Sequence, residues 1–207
     1  MRSFNILYVG GAVVARSLDR AAIVDAFSSR AQLAVAEHAR NELFVHAGVV
    51  EWNGRAILIP GRTFTGKSTL TLAFLQAGAR YYSDEYAIID KRGRVHPFPR
   101  PISIRGPGVR EREAFAPATR AIPVGWILLT AFRGGAKWRP RAITPGQAVL
   151  ALLANTVSAR RRPGGALRVL HRAVEHVVAL KGVRGEAEET VAAFIRACQN
   201  TISAKEK

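Results

Sequence analysis

The chain has 207 residues, 48% of them apolar and 22% charged, which is enough for one globular domain with a buried core. No apolar run approaches the ~20 residues that cross a bilayer, and a single cysteine, Cys198, excludes an intramolecular disulfide and a cysteine-based zinc site. The formal net charge of +16 favours an acidic or phosphorylated partner, whereas scattered basic residues without interleaved aromatics disfavour nucleic acid.

The N-terminal segment admits two interpretations. Arg2 followed by a short apolar run resembles a secretory signal peptide, but the same residues fit a first β-strand with a glycine turn, which we favour. Apolar residues at helical intervals over residues 19–40 predict one or two helices. We expect an N-terminal strand and helical segment over 1–43, a main domain over 44–200 and a tail over 201–207.

A β-hairpin is predicted over residues 43–61. Two apolar runs flank Asn53-Gly54, a dipeptide typical of two-residue hairpin turns. The second run leads directly into a glycine-containing loop. The segment after the loop is apolar on one face and ends at Gly78, which predicts a helix with a glycine stop.

The remaining elements mix strands and helices without strict alternation. Residues 86–98 predict a second hairpin, and two further apolar strands enclose the proline- and charge-rich segment 106–124, which is expected to be a loop or a short helix. Thr144 as a cap and Pro145 at the first helical position begin another helix. A further helix, a short strand and a last helix over 186–198 complete an α/β domain with a mixed sheet.

The loop at residues 59–70, IPGRTFTGKSTL, has the spacing G-x-x-x-x-G-K-[ST]. Its two glycines let backbone N–H groups turn toward phosphate oxygens, and the following helix adds the positive end of its dipole. Lys67 would place a point charge on the terminal phosphates, and Ser68 would offer its hydroxyl to Mg²⁺. The flanking strand and helix disfavour a chance match in an ordinary turn. The predicted ligands are ATP and Mg²⁺, and the residues predicted to bind ATP are Gly61, Arg62, Thr63, Phe64, Thr65, Gly66, Lys67, Ser68 and Thr69.

Two adjacent carboxylates, Asp84 and Glu85, follow the helix of this loop. Beside a phosphate-binding loop, one carboxylate could hold Mg²⁺ and the other could accept the proton of an attacking hydroxyl. In isolation the pair would be interpreted as a solvated turn. His46, on the strand before the loop, could line the same site, although a lone histidine in an apolar strand is usually a core residue.

Together these pieces resemble the catalytic domain of the HPr serine kinase/phosphorylase family. The ordered features are a histidine before a small residue in HAGVV, a strand, the glycine loop, its helix, and an acidic pair after Y-x-S in YYSDEYAIID. The resemblance is firm over residues 44–105 and extends loosely to about 195 through PFPRPISIR and WILLTAFRGG. Some smaller relatives accompany ribosomally made peptides, including lasso peptides, and phosphorylate a serine of the precursor.

The resemblance implies a P-loop kinase fold with a mixed sheet, related to phosphoenolpyruvate carboxykinase. It implies that Ser68 helps to hold Mg²⁺, that Asp84 is the base, that Glu85 assists with the metal, and that His46 lines the site. The usual pair of the family is two aspartates, so Glu85 departs from it by one methylene. The separate N-terminal domain and the segment linked to the phosphorylase reaction are not found, which predicts a kinase without phosphorylase activity.

The leading hypothesis is an ATP-dependent kinase that acts on a serine or similar hydroxyl of a protein or precursor peptide. A small-molecule kinase and a catalytically weak nucleotide-binding regulatory module are the alternatives. Arg100, Arg105 and Arg133, at the ends of predicted strands, are expected to hold phosphate or an acidic peptide. We expect a cytoplasmic protein that binds neither membrane nor nucleic acid. The sequence is compatible with a homo-oligomer and does not decide the oligomeric state.

Overall fold

The computed structural model describes residues 3–61, 65–106, 109–113, 115–116 and 118–203. The chain divides into two compact units, Met1–Arg40 and Asn41–Lys207. In the described residues no helix is both long and apolar enough to span a bilayer.

The first unit is a hairpin followed by one helix. β1 (Asn5–Val9) and β2 (Ala12–Ser17) pair antiparallel around a turn in which Gly10 and Gly11 have positive φ angles. Helix α1 (Arg20–His38) begins where the Asp19 carboxylate accepts a hydrogen bond from the Ala21 amide. The strand, glycine turn and helix predicted for this segment are confirmed.

The second unit begins with the predicted hairpin. β3 (Glu42–Trp52) and β4 (Arg55–Pro60) pair antiparallel, and Asn53 and Gly54 form the turn with φ angles of 49° and 75°. Positive φ at both turn residues matches the twist of the flanking strands, which explains why Asn-Gly predicts this turn.

The main sheet is mixed. Its strands lie in the order β11 (Arg141–Ala142), β12 (Val178–Arg184), β10 (Ile122–Phe132), β4, β3, β6 (Tyr86–Asp90) and β7 (Arg94–His96), and β5 (Arg80–Ser83) also pairs with β3. β10 is parallel to both β4 and β12, whereas β3 is antiparallel to each of its neighbours. The predicted α/β class with a mixed sheet is therefore confirmed.

Helices pack on both faces of this sheet. One face carries α3 (Pro145–Leu153) and α4 (Pro163–Val174), and its core includes Val49, Leu58, Ile127, Leu152 and Leu170. The other face carries α2 (Lys67–Gln76) and α5 (Ala187–Ser203), with a core that includes Val50, Ile57, Phe74, Leu128 and Phe194. The alternation of side chains along β3, β4 and β10 supplies both cores, so the sheet is buried on each side.

One local prediction differs from the structure and another is confirmed. Within the segment 106–124, which was expected to be a loop or short helix, β9 (Val109–Glu113) pairs antiparallel with β8 (Ile102–Gly106). Positive and negative residues alternate in β9, which has no apolar face. Its sequence therefore lacks the alternation of apolar and polar residues that usually indicates a strand. The helix predicted from Thr144 and Pro145 is confirmed, and Thr144 and Gln147 form a capping box at its start.

Candidate functional site

The centre of β3 brings the glycine loop and the acidic pair together. On one side, the Gly61 amide at the start of the loop donates to the His46 carbonyl over 3.3 Å. On the other side, the Ala47 amide donates to the Glu85 carbonyl, also over 3.3 Å. Because β4 and the β5–β6 connection flank the same residues of β3, two motifs separated in sequence become neighbours.

The loop ends in an uncapped helix start. Gly66, the N-cap residue of α2, has φ 77° and ψ 22°, a left-handed conformation that favours glycine. Among the described residues, no side chain caps this end of α2. An N-terminus without a cap presents backbone N–H groups and a positive dipole, which together suit an anion. Arg62, Thr63 and Phe64, predicted to bind ATP, lie outside the described residues.

Lys67 is buried directly behind the loop. Only 8% of the residue is exposed, and a Cβ on Gly61 would lie 3.7 Å from the Lys67 Cδ, so the lysine stem passes over this glycine. Burial lowers the Lys67 pKa, while the charges of Asp84 and Glu85 raise it. Thr65 and Ser68 are half-buried and Thr69 is exposed.

Ser68 connects the loop helix to the acidic pair. Its hydroxyl donates to Asp84 Oδ2 over 2.6 Å. The turn that presents the carboxylates is held by Ser83, whose Oγ accepts from the Glu85 amide at 3.2 Å and from the Tyr86 amide at 3.1 Å. Two amides bound by one buried hydroxyl give this turn a fixed shape, so Asp84 meets Ser68 without relying on loop flexibility.

Asp84 is a carboxylate in a strongly desolvated position. Its pKa is raised from the usual 3.8 to about 6, mainly by burial and in part by the charge of Glu85, while the Ser68 hydrogen bond and the charge of Lys67 oppose the increase. Its second oxygen, Oδ1, is buried without a hydrogen-bond partner in the described part of the chain, as is the hydroxyl of nearby Thr71. Orphaned oxygens of this kind are typical of a site completed by a ligand, an ion or water.

Gly48 makes room for this arrangement. A Cβ at Gly48 would overlap Thr71 Oγ1 and lie 3.7 Å from Asp84 Oδ1. The φ angle of Gly48 is not positive, so the requirement is space rather than backbone conformation.

Gly48→Ala is accordingly expected to lower the free energy of unfolding by roughly 1–3 kcal/mol, because a buried, β-branched Thr71 has little freedom to move aside. Urea unfolding measures the loss. Gly134→Ala is the matched control, because Gly134 has no atom within 4 Å of its added Cβ and no positive φ. Equal stability of the two variants would contradict the overlap.

His46 joins the site through its backbone and its ring. Its Nδ1 lies 2.8 Å from the Glu85 carbonyl, which can only accept, so Nδ1 carries the proton and Nε2 of the neutral ring is an acceptor. Nδ1 also lies 3.8 Å from Glu85 Oε1, and the Glu85 side chain is 45% exposed. His46 is thus a neighbour of Glu85 at the open side of the acidic turn.

The three candidate arginines have different surroundings. The Arg100 carbonyl accepts from the Tyr81 hydroxyl over 2.6 Å. Burial is the main cause that raises the Tyr81 pKa. The charge of Asp84 also raises it, and the charge of Arg100 lowers it. Arg100 therefore lies within electrostatic reach of the same tyrosine as Asp84. Arg133 is exposed just after β10, and the side chain of Arg105 lies outside the described residues.

Three contributors to this site were not predicted from the sequence: Ser83, Gly48 and Arg184. Gly48 and Ser83 belong to the motifs HAGVV and YYSDEYAIID, on which the resemblance depends. Those motifs indicate that both positions matter but do not indicate what either residue contacts. Arg184 had no such signal, since its Nη2 donates to the carbonyl of Gly66, 118 residues away, over 2.9 Å.

The donor set suits a hard cation such as Mg²⁺. Ser68, Asp84 and Glu85 supply hydroxyl and carboxylate oxygens, and the lone pairs of Ser68 Oγ stay available while its O–H donates to Asp84. Within the described residues there is no group of three or more His, Cys, Asp or Glu that could hold a metal by itself. A cation with few protein ligands and oxygens from phosphate fits this composition.

Comparison with models of known protein families and with curated proteins finds no match for this chain.

Proposed function

We propose that this chain is an ATP-dependent kinase that transfers the γ-phosphate to the hydroxyl of a serine in a protein or precursor peptide. The observation that carries the proposal is the 2.6 Å hydrogen bond from Ser68 to Asp84 at an uncapped helix start, with Lys67 buried beside it. A phosphate-binding element and a candidate base are thereby in contact.

The loop would bind the phosphates. The amides at the start of α2 and the Lys67 ammonium are suited to the β- and γ-phosphates, and kinase catalysis depends mainly on positioning and charge neutralisation. Mg²⁺, when bound, would supply further neutralisation of phosphate charge. Ser68 and the exposed carboxylate of Glu85 are the residues that we assign to hold it.

Asp84 would take the proton of the acceptor. In this step the hydroxyl oxygen bonds to the γ-phosphorus, the bond from that phosphorus to the β–γ bridging oxygen breaks, and ADP leaves. The hydroxyl proton passes to the Asp84 carboxylate. His46, which fixes the Glu85 carbonyl through Nδ1, would keep the acidic turn in place.

The mixed sheet with helices on both faces is compatible with a P-loop kinase fold of the HPr kinase and phosphoenolpyruvate carboxykinase type. We extend the proposal to that fold, because the glycine loop connects a buried strand to a helix, as the motif requires. We also propose that the kinase has no phosphorylase activity, because the segment that the HPr serine kinase/phosphorylase family links to that reaction is not found in the sequence.

An ATP turnover assay separates this proposal from its alternatives. The protein is incubated with Mg·ATP alone, with serine-containing peptides, and with small hydroxyl compounds, and ADP and phosphorylated products are measured. Peptide-dependent ADP formation with phosphoserine supports the proposal. Turnover with small compounds alone indicates a small-molecule kinase, and ATP binding without any turnover indicates a regulatory module.

Charge reversal tests the acidic character of the acceptor. We expect Arg100→Glu, Arg105→Glu and Arg133→Glu together to raise the KM for an acidic serine peptide roughly tenfold or more at low salt, with a smaller effect at high salt. Arg168→Glu, on the exposed side of α4, is the control. If peptide KM does not respond to the three reversals, the net charge does not select the acceptor.

A further inference from the structure

Arg184, the last residue of β12, is a buried cation beside the glycine loop. Only 2% of the residue is exposed. Its Nη2 donates to the Gly66 carbonyl over 2.9 Å and its Nη1 to the Gly185 carbonyl over 3.0 Å, while Nε is buried without a partner in the described part of the chain. A guanidinium has five N–H donors, so these two carbonyls leave it incompletely satisfied.

Among the described residues, no carboxylate forms an ion pair with Arg184. Glu186 and Glu188 are exposed at the start of α5, and their charges oppose the lowering of the Arg184 pKa by burial. A buried cation that is not paired costs free energy, and its retention implies a compensating anion in at least one state of the protein.

The topology places this cation beside Gly66, where the loop ends. β12 and β4 are both parallel to β10, so their carboxyl ends lie at the same edge of the sheet. Arg184 ends β12, and the loop follows β4. The guanidinium carbon lies 5.2 Å from the ring centroid of Phe132 at the end of β10, which holds the side chain at this edge.

Gly66 is shaped around this guanidinium. A Cβ at Gly66 would overlap Arg184 Nη2, so the residue needs glycine for space as well as for its φ of 77°. The Gly66 carbonyl also accepts the first hydrogen bond of α2, from the Leu70 amide at 3.1 Å. Arg184 thus fixes the Gly66 carbonyl, and this carbonyl in turn sets the orientation of the amides in the first turn of α2.

We propose that Arg184 is a positioning residue of the phosphate site. It holds Gly66 in the conformation that directs the α2 amides to the ligand, and the bound polyphosphate of a nucleotide balances its charge. This inference rests on the proposed function only in requiring that the loop binds phosphate.

The test compares binding with stability in the absence of ligand. Calorimetry measures the affinity of the full chain for pyrophosphate and for Mg·ADP, and thermal unfolding without ligand measures stability. Arg184→Met keeps the length of the stem and removes the charge, and Arg168→Met on α4 is the matched control. We expect Arg184→Met to weaken pyrophosphate binding roughly tenfold to hundredfold and to leave unliganded stability equal or higher, because an uncompensated buried charge is removed.

Two results with Arg184→Met would overturn the inference. One is wild-type pyrophosphate affinity in a folded Arg184→Met protein. The other is weakened binding together with a much lower unfolding temperature, which a purely structural arginine would give. If Arg184→Met does not fold, Arg184→Gln, which can still donate to one carbonyl, decides by the same affinity measurement. A wild-type protein that binds pyrophosphate but transfers no phosphate overturns the proposed function and leaves the role of Arg184 intact, whereas one that binds neither pyrophosphate nor Mg·ADP overturns both.

Discussion

Lys67→Ala is expected to weaken the binding of Mg·ATP by about a hundredfold or more and to abolish turnover. Lys67 is the first residue of α2, is buried and is the only lysine of the loop, and the planar guanidinium of a nearby arginine does not supply the same compact point charge. Calorimetric titration with Mg·ATP gives the affinity, and ADP formation gives the turnover.

Lys67→Met separates charge from packing. The methionine keeps an unbranched apolar stem over Gly61, so it should fold as the wild-type protein does and bind ATP as weakly as Lys67→Ala. Lys181→Ala, at an exposed position of β12, should behave as wild type. Unchanged ATP affinity in Lys67→Met would exclude a phosphate role for this lysine.

Asp84→Asn is expected to lower phosphoryl transfer by about 10²–10⁴-fold while ATP affinity stays close to wild type. The amide keeps the shape of the side chain but does not accept the proton of the acceptor hydroxyl. Glu85→Gln should instead change the Mg²⁺ requirement, with part of the activity recovered at high metal concentration. Single-turnover transfer and ATP titration, each at several Mg²⁺ concentrations, distinguish the two variants.

Asp84→Asn should also stabilise the protein at neutral pH when nucleotide and Mg²⁺ are absent. The Asp84 pKa is raised from 3.8 to about 6 in the folded state, so wild-type protein binds more protons folded than unfolded between these values. Its free energy of unfolding therefore falls as pH rises from about 4 through 6, by up to ~3 kcal/mol. Asp84→Asn lacks this loss.

Chemical unfolding at pH 4 and pH 8 measures this effect. At pH 8 the variant should be more stable than wild type by roughly 1–3 kcal/mol, and at pH 4 the difference should disappear, because Asp84 is then protonated. A stability difference between variant and wild type that is the same at both pH values would show that burial does not destabilise the charged form of Asp84. A gain in stability with a loss of transfer is the pattern expected of a functional carboxylate.

The sequence was sufficient where a signal is local. The two-residue turn has positive φ at both positions, which Asn53 and Gly54 tolerate, so this dipeptide predicted the hairpin correctly. Thr144 with Pro145 predicted the start of α3. The glycine loop and the acidic pair could be found because each is contiguous. The resemblance predicts that both motifs belong to one site, but the hydrogen bond from Ser68 to Asp84 was not predicted and depends on the pairing of β3 with both β4 and β5.

The sequence was insufficient where the structure depends on distant pairing. β5 is only four residues long and is held in the sheet by its pairing with β3, so its own sequence does not indicate a strand. Arg184 belongs to a strand that reaches the loop only because β12 and β4 share β10 as a parallel neighbour. No spacing rule connects Arg184 to Gly66, and among many arginines nothing in its neighbourhood set it apart.

The most direct test of the kinase proposal follows the γ-phosphate itself. ATP labelled at the γ-phosphorus is incubated with Mg²⁺ and serine-containing peptides, using the wild-type protein, Lys67→Met and Asp84→Asn. The account predicts label on peptide serine with the wild-type protein, and none or a small fraction of it with either variant. A wild-type protein that neither binds Mg·ATP nor transfers label, or an Asp84→Asn protein that transfers label at the wild-type rate, would contradict it.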